Sequence, residues 1–72
     1  MNYLLYSYTR GEYLSGLRVE MLRGATVLDD RYTKRRYNAL YFLTANEAVY
    51  LASLIACYRE EQLAVLEERE EP

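Results

Sequence analysis

The residues whose types and spacing could do chemistry form two groups, a run of cations and rings and a set of paired carboxylates. Arg31-Tyr32-Thr33-Lys34-Arg35-Arg36-Tyr37 interleaves four cations with two aromatic rings. Cations neutralise phosphate and rings stack on bases, which is how single-stranded nucleic acid is held. Tyr and Arg are also the residues that anchor protein interfaces, and Arg forks onto carboxylates better than Lys. The carboxylates stand as Asp29-Asp30, Glu60-Glu61, Glu67-Glu68 and Glu70-Glu71. Neighbours in sequence diverge on a strand or a helix, so none of these pairs resembles an acid/base dyad. Asp29 and Asp30 could take a divalent ion with other oxygens, but a turn or an ion pair with Arg31 is the plainer expectation.

Catalysis finds little else to use. The chain has no His, which removes the usual general base near neutral pH and the commonest metal ligand. With Cys57 as its single Cys, one chain can form neither an intrachain disulfide nor a zinc site of the usual N/S kind. Ser7, Ser15 and Ser53 have no base to activate them. Gly11, Gly16 and Gly24 fit neither a dinucleotide fingerprint nor a phosphate loop. The expectation is a non-catalytic protein with no cofactor and no metal.

The elements that must position these residues are best signed at Thr44-Ala45-Asn46-Glu47, a capping box that opens a helix. The pattern predicts about seven turns from Thr44 to Glu71. Leu51, Leu54, Ile55, Tyr58, Val65 and Leu66 form the stripe assigned to the core, interrupted by Gln62. A flank of Ala45, Ala48, Ala52 and Ala56, continued by Leu63 and widened by Val49 and Cys57, is apolar as well. A helix apolar on most sides must be covered on most sides. Ala is also simply a good helix former; the sharper reading is a homodimer contact through Ala45, Ala48, Val49, Ala52, Ala56 and Leu63. Cys57 reads as a buried small hydrophobe.

Before the helix, Asn2 to Thr9 reads as a strand, Arg10-Gly11 as a tight turn, and Glu12 to Met21 as a strand of period two with Gly16 marking a bulge. A short helix over Glu12 to Arg23 competes, although Ser15-Gly16 at its centre argues against it. Arg23-Gly24 repeats the turn before Ala25 to Leu28, Asp29 to Arg36 reads as a polar loop, and Tyr37 to Leu43 as a last strand apolar on both faces. The fold class is therefore α+β, a small antiparallel sheet of three to four strands followed by one long C-terminal helix. Residues 1–72 form a single domain, with 1–44 the sheet region and 44–71 the helix. Carboxylates at the negative end of a helix are unfavourable, so its acidic end should fray.

At 72 residues a core alone gives only a few kcal/mol, and burial shared with another chain would help. The net charge of −2 hides an asymmetry, since residues 1–44 hold seven basic and four acidic side chains and residues 45–72 hold two and seven. No charged segment precedes an apolar run at the N-terminus, and the uncharged run Ala48 to Tyr58 has only 11 residues where a membrane span needs roughly 20. No membrane partner and a cytoplasmic location are expected.

Nine Tyr (Tyr3, Tyr6, Tyr8, Tyr13, Tyr32, Tyr37, Tyr41, Tyr50 and Tyr58) exceed what so small a core can bury. Tyr32, Arg35, Arg36, Tyr37 and Tyr50 are the candidate partner-binding residues. Their partner is expected to be another protein, with nucleic acid held by the 31–37 loop as the alternative. In size and composition alone the chain is similar to small phage and mobile-element inhibitors, anti-CRISPR proteins included. That likeness implies a stoichiometric inhibitor or regulator acting in a host cytoplasm.

Overall fold

Aromatic and branched side chains favour extended backbone, and Asn2–Ser7 forms strand β1. In the computed structural model, which describes residues 2–68, it is joined by β2 (Glu12–Leu22), β3 (Ala25–Thr33) and β4 (Leu63–Glu68), with one helix, α1 (Ala45–Arg59), before β4. The sheet is antiparallel in the order β3-β2-β1-β4. The period-two pattern of 12–21 is a strand and the competing helix is absent. Its pairing with β3 shifts register between Leu14 and Gly16, where the bulge was expected. Both turns form where Arg-Gly stands. Gly11 has φ 68°, and Arg23 and Gly24 have φ 53° and 79°, the pair of positive values that matches the twist of a two-residue hairpin.

Thr44 caps α1, its hydroxyl accepting from the Glu47 amide at 3.2 Å. Along β1 the residues Tyr3 and Leu5 face the helix, and Leu5, Leu14, Leu28, Phe42, Ala48 and Ile55 form the buried core. Leu4, on the opposite face of β1, is also fully buried.

Three expectations about the elements are corrected. The helix does not run to Glu71. It ends at Arg59, Glu60 turns left-handed at φ 53°, and Leu63–Glu68 becomes β4, paired with β1 through six consecutive residues. Leu63-Ala64-Val65-Leu66 suits either element, and pairing with β1 decides it: Leu63 and Val65 pack on the core, while Ala64 and Leu66 take the other face. The expected fraying therefore does not apply to Glu67 and Glu68, and 69–72 lie outside the described residues.

Second, the polar loop at Asp29 to Arg36 is largely strand, since β3 runs to Thr33. Third, Tyr37 to Leu43 is no strand. A 3-10 turn at Arg36–Asn38 leads into a segment wedged where β2 peels away from β1, held by the Leu40 amide on Leu14 O and by reciprocal Tyr3–Phe42 bonds, all 2.8 Å.

The side of α1 that meets the sheet is centred on Ala48 and Ile55, both fully buried, with Leu51, Ala52 and Leu54 half-buried around them. Cys57 is exposed rather than buried, because two residues past Ile55 turn it by about 200°. Tyr58, assigned to the core stripe, is exposed on its edge. Truncating Ile55 to Ala should lower the unfolding free energy by about 2–5 kcal/mol, against about 0.5–1.5 for Ile55→Val. Denaturant melts of the two variants check that gradation.

Candidate protein-interaction site

The densest polar arrangement is internal. Glu61, the second residue past α1, is buried, and its carboxylate accepts from the Ser7 hydroxyl and from Arg10 Nε, which lies 3.0 Å from both of its oxygens. The Arg10 amide donates to Ser7 Oγ at 3.1 Å. The Arg10 guanidinium sits 4.0 Å from the centre of the Tyr32 ring, a cation-π contact. Tyr32 donates to Asp30 Oδ2 at 2.7 Å, and Arg59 donates to Asp30 Oδ1 through Nη2 and Nε and to the Leu28 carbonyl. The chain Ser7–Glu61–Arg10–Tyr32–Asp30–Arg59 thus ties the ends of β1 and α1 to β3.

Electrostatics follow from this packing. Hydrogen bonding to Glu61 raises Arg10 against the effect of desolvation. Burial first, and then the bond to Asp30, push the Tyr32 phenol well above its ordinary range. Desolvation pushes Asp30 up, but the bonds from Tyr32 and Arg59 outweigh it and hold the carboxyl below its ordinary 3.8. Ser7 is fully buried, so its hydroxyl is spent on structure and does not face solvent.

Past Tyr13, the last residue of β2 paired with β1, its only strand partner is β3, and the two strands extend as an arm in a molecule 49 Å long against 23 and 18 Å in the other directions. Register puts Leu17 and Asp30, Val19 and Leu28, and Met21 and Thr26 on one face. That face is the one covered by α1 at the root of the arm, where Leu28 is core. The helix stops at Arg59, and exposure rises along the arm, from 48% at Val19, opposite Leu28, to 70% at Met21. On the reverse face Leu22 and Val27 are 54% and 42% exposed, beside the ion-paired Arg18–Glu20 and Arg31–Asp29. Sequence reasoning missed this surface. Its signal was length: β2 has 11 residues and β1 only 6, so the far part of the longer strand cannot share the core.

A second apolar surface lies between α1 and β4. A groove of about 290 Å³ is lined by Val49, Ala52, Ser53 and Ala56 of the helix and Leu63 and Val65 of the strand, with Gln62 at the turn. It gathers Val49, Ala52, Ala56 and Leu63 from the expected dimer contact. Ala48 is withdrawn from that set, because it is fully buried in the core. Ala45 is exposed at the start of the helix.

The expected partner-binding residues are dispersed. Tyr32 faces into the polar chain, and Arg36 Nε is 3.5 Å from Glu68, so both are engaged within the fold. Arg35 and Tyr37 are exposed and bonded to each other at 3.0 Å, with Lys34 exposed beside them. Tyr50 is 68% exposed on α1. Asp29 pairs with Arg31 at 3.8 Å, and among the described residues no group of three His, Cys, Asp or Glu side chains is placed to hold a metal. The chain matches no family model, no curated protein and no solved structure.

A carboxyl whose folded pKa is depressed stabilises the fold above its unfolded value and loses that contribution as pH falls through the folded value. Asp30 should therefore support stability fully above about pH 3.8 and lose that support below it. Asp30→Asn should be less stable than wild type at neutral pH, with the gap closing on acidification. Denaturant midpoints of both proteins from neutral to acid pH test this; a constant gap would show that Asp30 gains nothing from Tyr32 and Arg59.

Proposed function

We propose that this chain is a non-catalytic protein-binding module, a homodimeric inhibitor or regulator that acts stoichiometrically on a larger protein or complex. The observation that carries the reading is the arm, where Val19, Met21, Leu22 and Val27 are exposed among the described residues. Val19 and Met21 stand on one face of the arm and Leu22 and Val27 on the other, and exposed apolar side chains beside charged ones are what protein interfaces bury. The groove beside β4 supports self-association on a separate surface. The proposed setting is the cytoplasm, a host's if the chain is phage-encoded; among the described residues no helix is long and apolar enough to cross a membrane.

The protein-partner reading is favoured over nucleic acid because Tyr32 and Arg36 are engaged internally, leaving Lys34, Arg35 and Tyr37 as a small exposed patch. The test is a tagged capture with wild type and with Val19→Lys/Met21→Lys, each with and without nuclease. A protein held by wild type through nuclease treatment and lost from the double variant, with helix content unchanged by circular dichroism, is the expected result. Equal capture by both proteins removes the arm from the reading. Recovery of nucleic acid alone moves the function to the 34–37 patch.

A further inference from the structure

We infer that the β2–β3 arm is an insertion element: its turn enters a concave acidic cleft of the target protein, whose walls cover both faces of the arm and whose floor offers a carboxylate to Arg23. The cleft specifies the target of the protein-binding role proposed above and rests on that role.

The arm is apolar on both faces. Register puts Val19 and Met21 on the face continuous with the core and Leu22 and Val27 on the reverse, and their exposures run from 42% at Val27 to 70% at Met21. A flat partner surface covers one face of a two-stranded ribbon and leaves the other in water. A cleft takes both faces out of water, which is what apolar side chains on both favour. From the buried Leu28 to Gly24 in the turn the strand advances about 13 Å, and that is the depth the cleft needs.

Charge selects the occupant. Arg18 Nε lies 3.1 Å from Glu20, Arg31 lies 3.8 Å from Asp29, and Asp30 is held by Arg59. Arg23, exposed in the turn, has no ion pair among the described residues. The leading group of the arm is thus a cation with apolar side chains behind it. A guanidinium taken out of water must meet an anion, and a carboxylate matches its fork. Residues 17–31 hold three cations and three carboxylates, and the whole chain carries a net charge of −2. That balance gives neither an anionic membrane nor a nucleic acid the polybasic surface it needs.

The backbone of the turn points the same way. Arg23 and Gly24 have φ of 53° and 79°, and a two-residue turn of this kind favours Asn, Asp or Gly at its first position and Gly at its second. Gly24 suits its place, whereas Arg23 brings a Cβ into the left-handed region. Among the described residues it gains no hydrogen bond or ion pair there in return. A strained residue without a partner in its own fold fits a role toward a partner outside it.

The probe for the test is the protein that wild type retains from nuclease-treated lysate, identified by mass spectrometry and purified. Arg23→Asn should raise the denaturant midpoint of the free chain, because Asn fits the turn, and weaken binding of the probe by about ten- to a hundredfold. A merely structural role for Arg23 would move both in the same direction. Arg23→Lys, treated with a carbodiimide in the complex, should couple its amine to a target carboxylate at position 23, read by peptide mass spectrometry. A photoreactive benzophenone side chain placed at Met21 and, separately, at Val27 should crosslink to the same target from opposite faces of the arm. Undiminished affinity of Arg23→Asn, or crosslinks from one face alone, overturns the acidic cleft and leaves the protein-binding role standing. A wild type that retains no protein overturns both. Crosslinks only to another copy of this chain, or Arg23-dependent retention on phosphatidylserine vesicles with no protein bound, give the arm to those occupants and also overturn the proposal.

Discussion

The carboxylate of Glu61 is taken out of water at the point where α1 gives way to β4, and a buried charge must be paired. Its partners are the Ser7 hydroxyl and the Arg10 guanidinium, at the end of β1 and in the turn that follows. Reaching them requires the chain to leave the helix after Arg59, and the left-handed Glu60 makes that exit. Once Glu61 is seated, Leu63–Glu68 lies alongside β1 as the end strand on that side. A buried ion pair of this kind is weak evidence for stability, because desolvation offsets the attraction. Its effect here is directional, since a helix continued past Arg59 could not bring this carboxylate to Ser7 and Arg10.

The same network sets where the apolar surface is left open. Arg10 stacks on Tyr32, Tyr32 bonds Asp30, and Asp30 receives Arg59 from the last turn of the helix. These contacts pin the end of α1 to the root of the β2–β3 arm and mark how far the helix covers it. Leu28 is core at that limit, its cross-strand partner Val19 is half exposed there, and Met21 lies farther out on the same face and is more exposed. On the opposite side of the molecule, ending the helix early leaves its small-residue flank beside an edge strand.

The two open surfaces stand at opposite edges of the sheet, since β3 and β4 are its end strands. In a homodimer joined beside β4, as proposed, both arms would project at the outer ends. One dimer then presents two arms, and a target carrying two matching sites would be held by both. Such pairing raises the effective concentration of the second contact without any new interaction.

Local features of the fold were legible in the sequence because their causes are local. The Thr44 cap, the Arg-Gly turns, the Gly16 bulge and the strand period of 12–21 each depend on residues a few positions apart. The exposed Tyr50 and the small-residue flank at Val49, Ala52 and Ala56 followed from helical spacing alone. What only the tertiary structure decided was the fate of segments whose local pattern suits more than one element. Leu63 to Leu66 satisfies a helix or a strand, and Tyr37 to Leu43 has the alternation of a strand but meets one only at a single bridge. The inward turn of Tyr32, the burial of Ala48 and the open arm likewise depend on what lies across the fold. Periodicity records neighbours along the chain, whereas the contact that ends the helix joins Ser7 to Glu61, 54 residues apart.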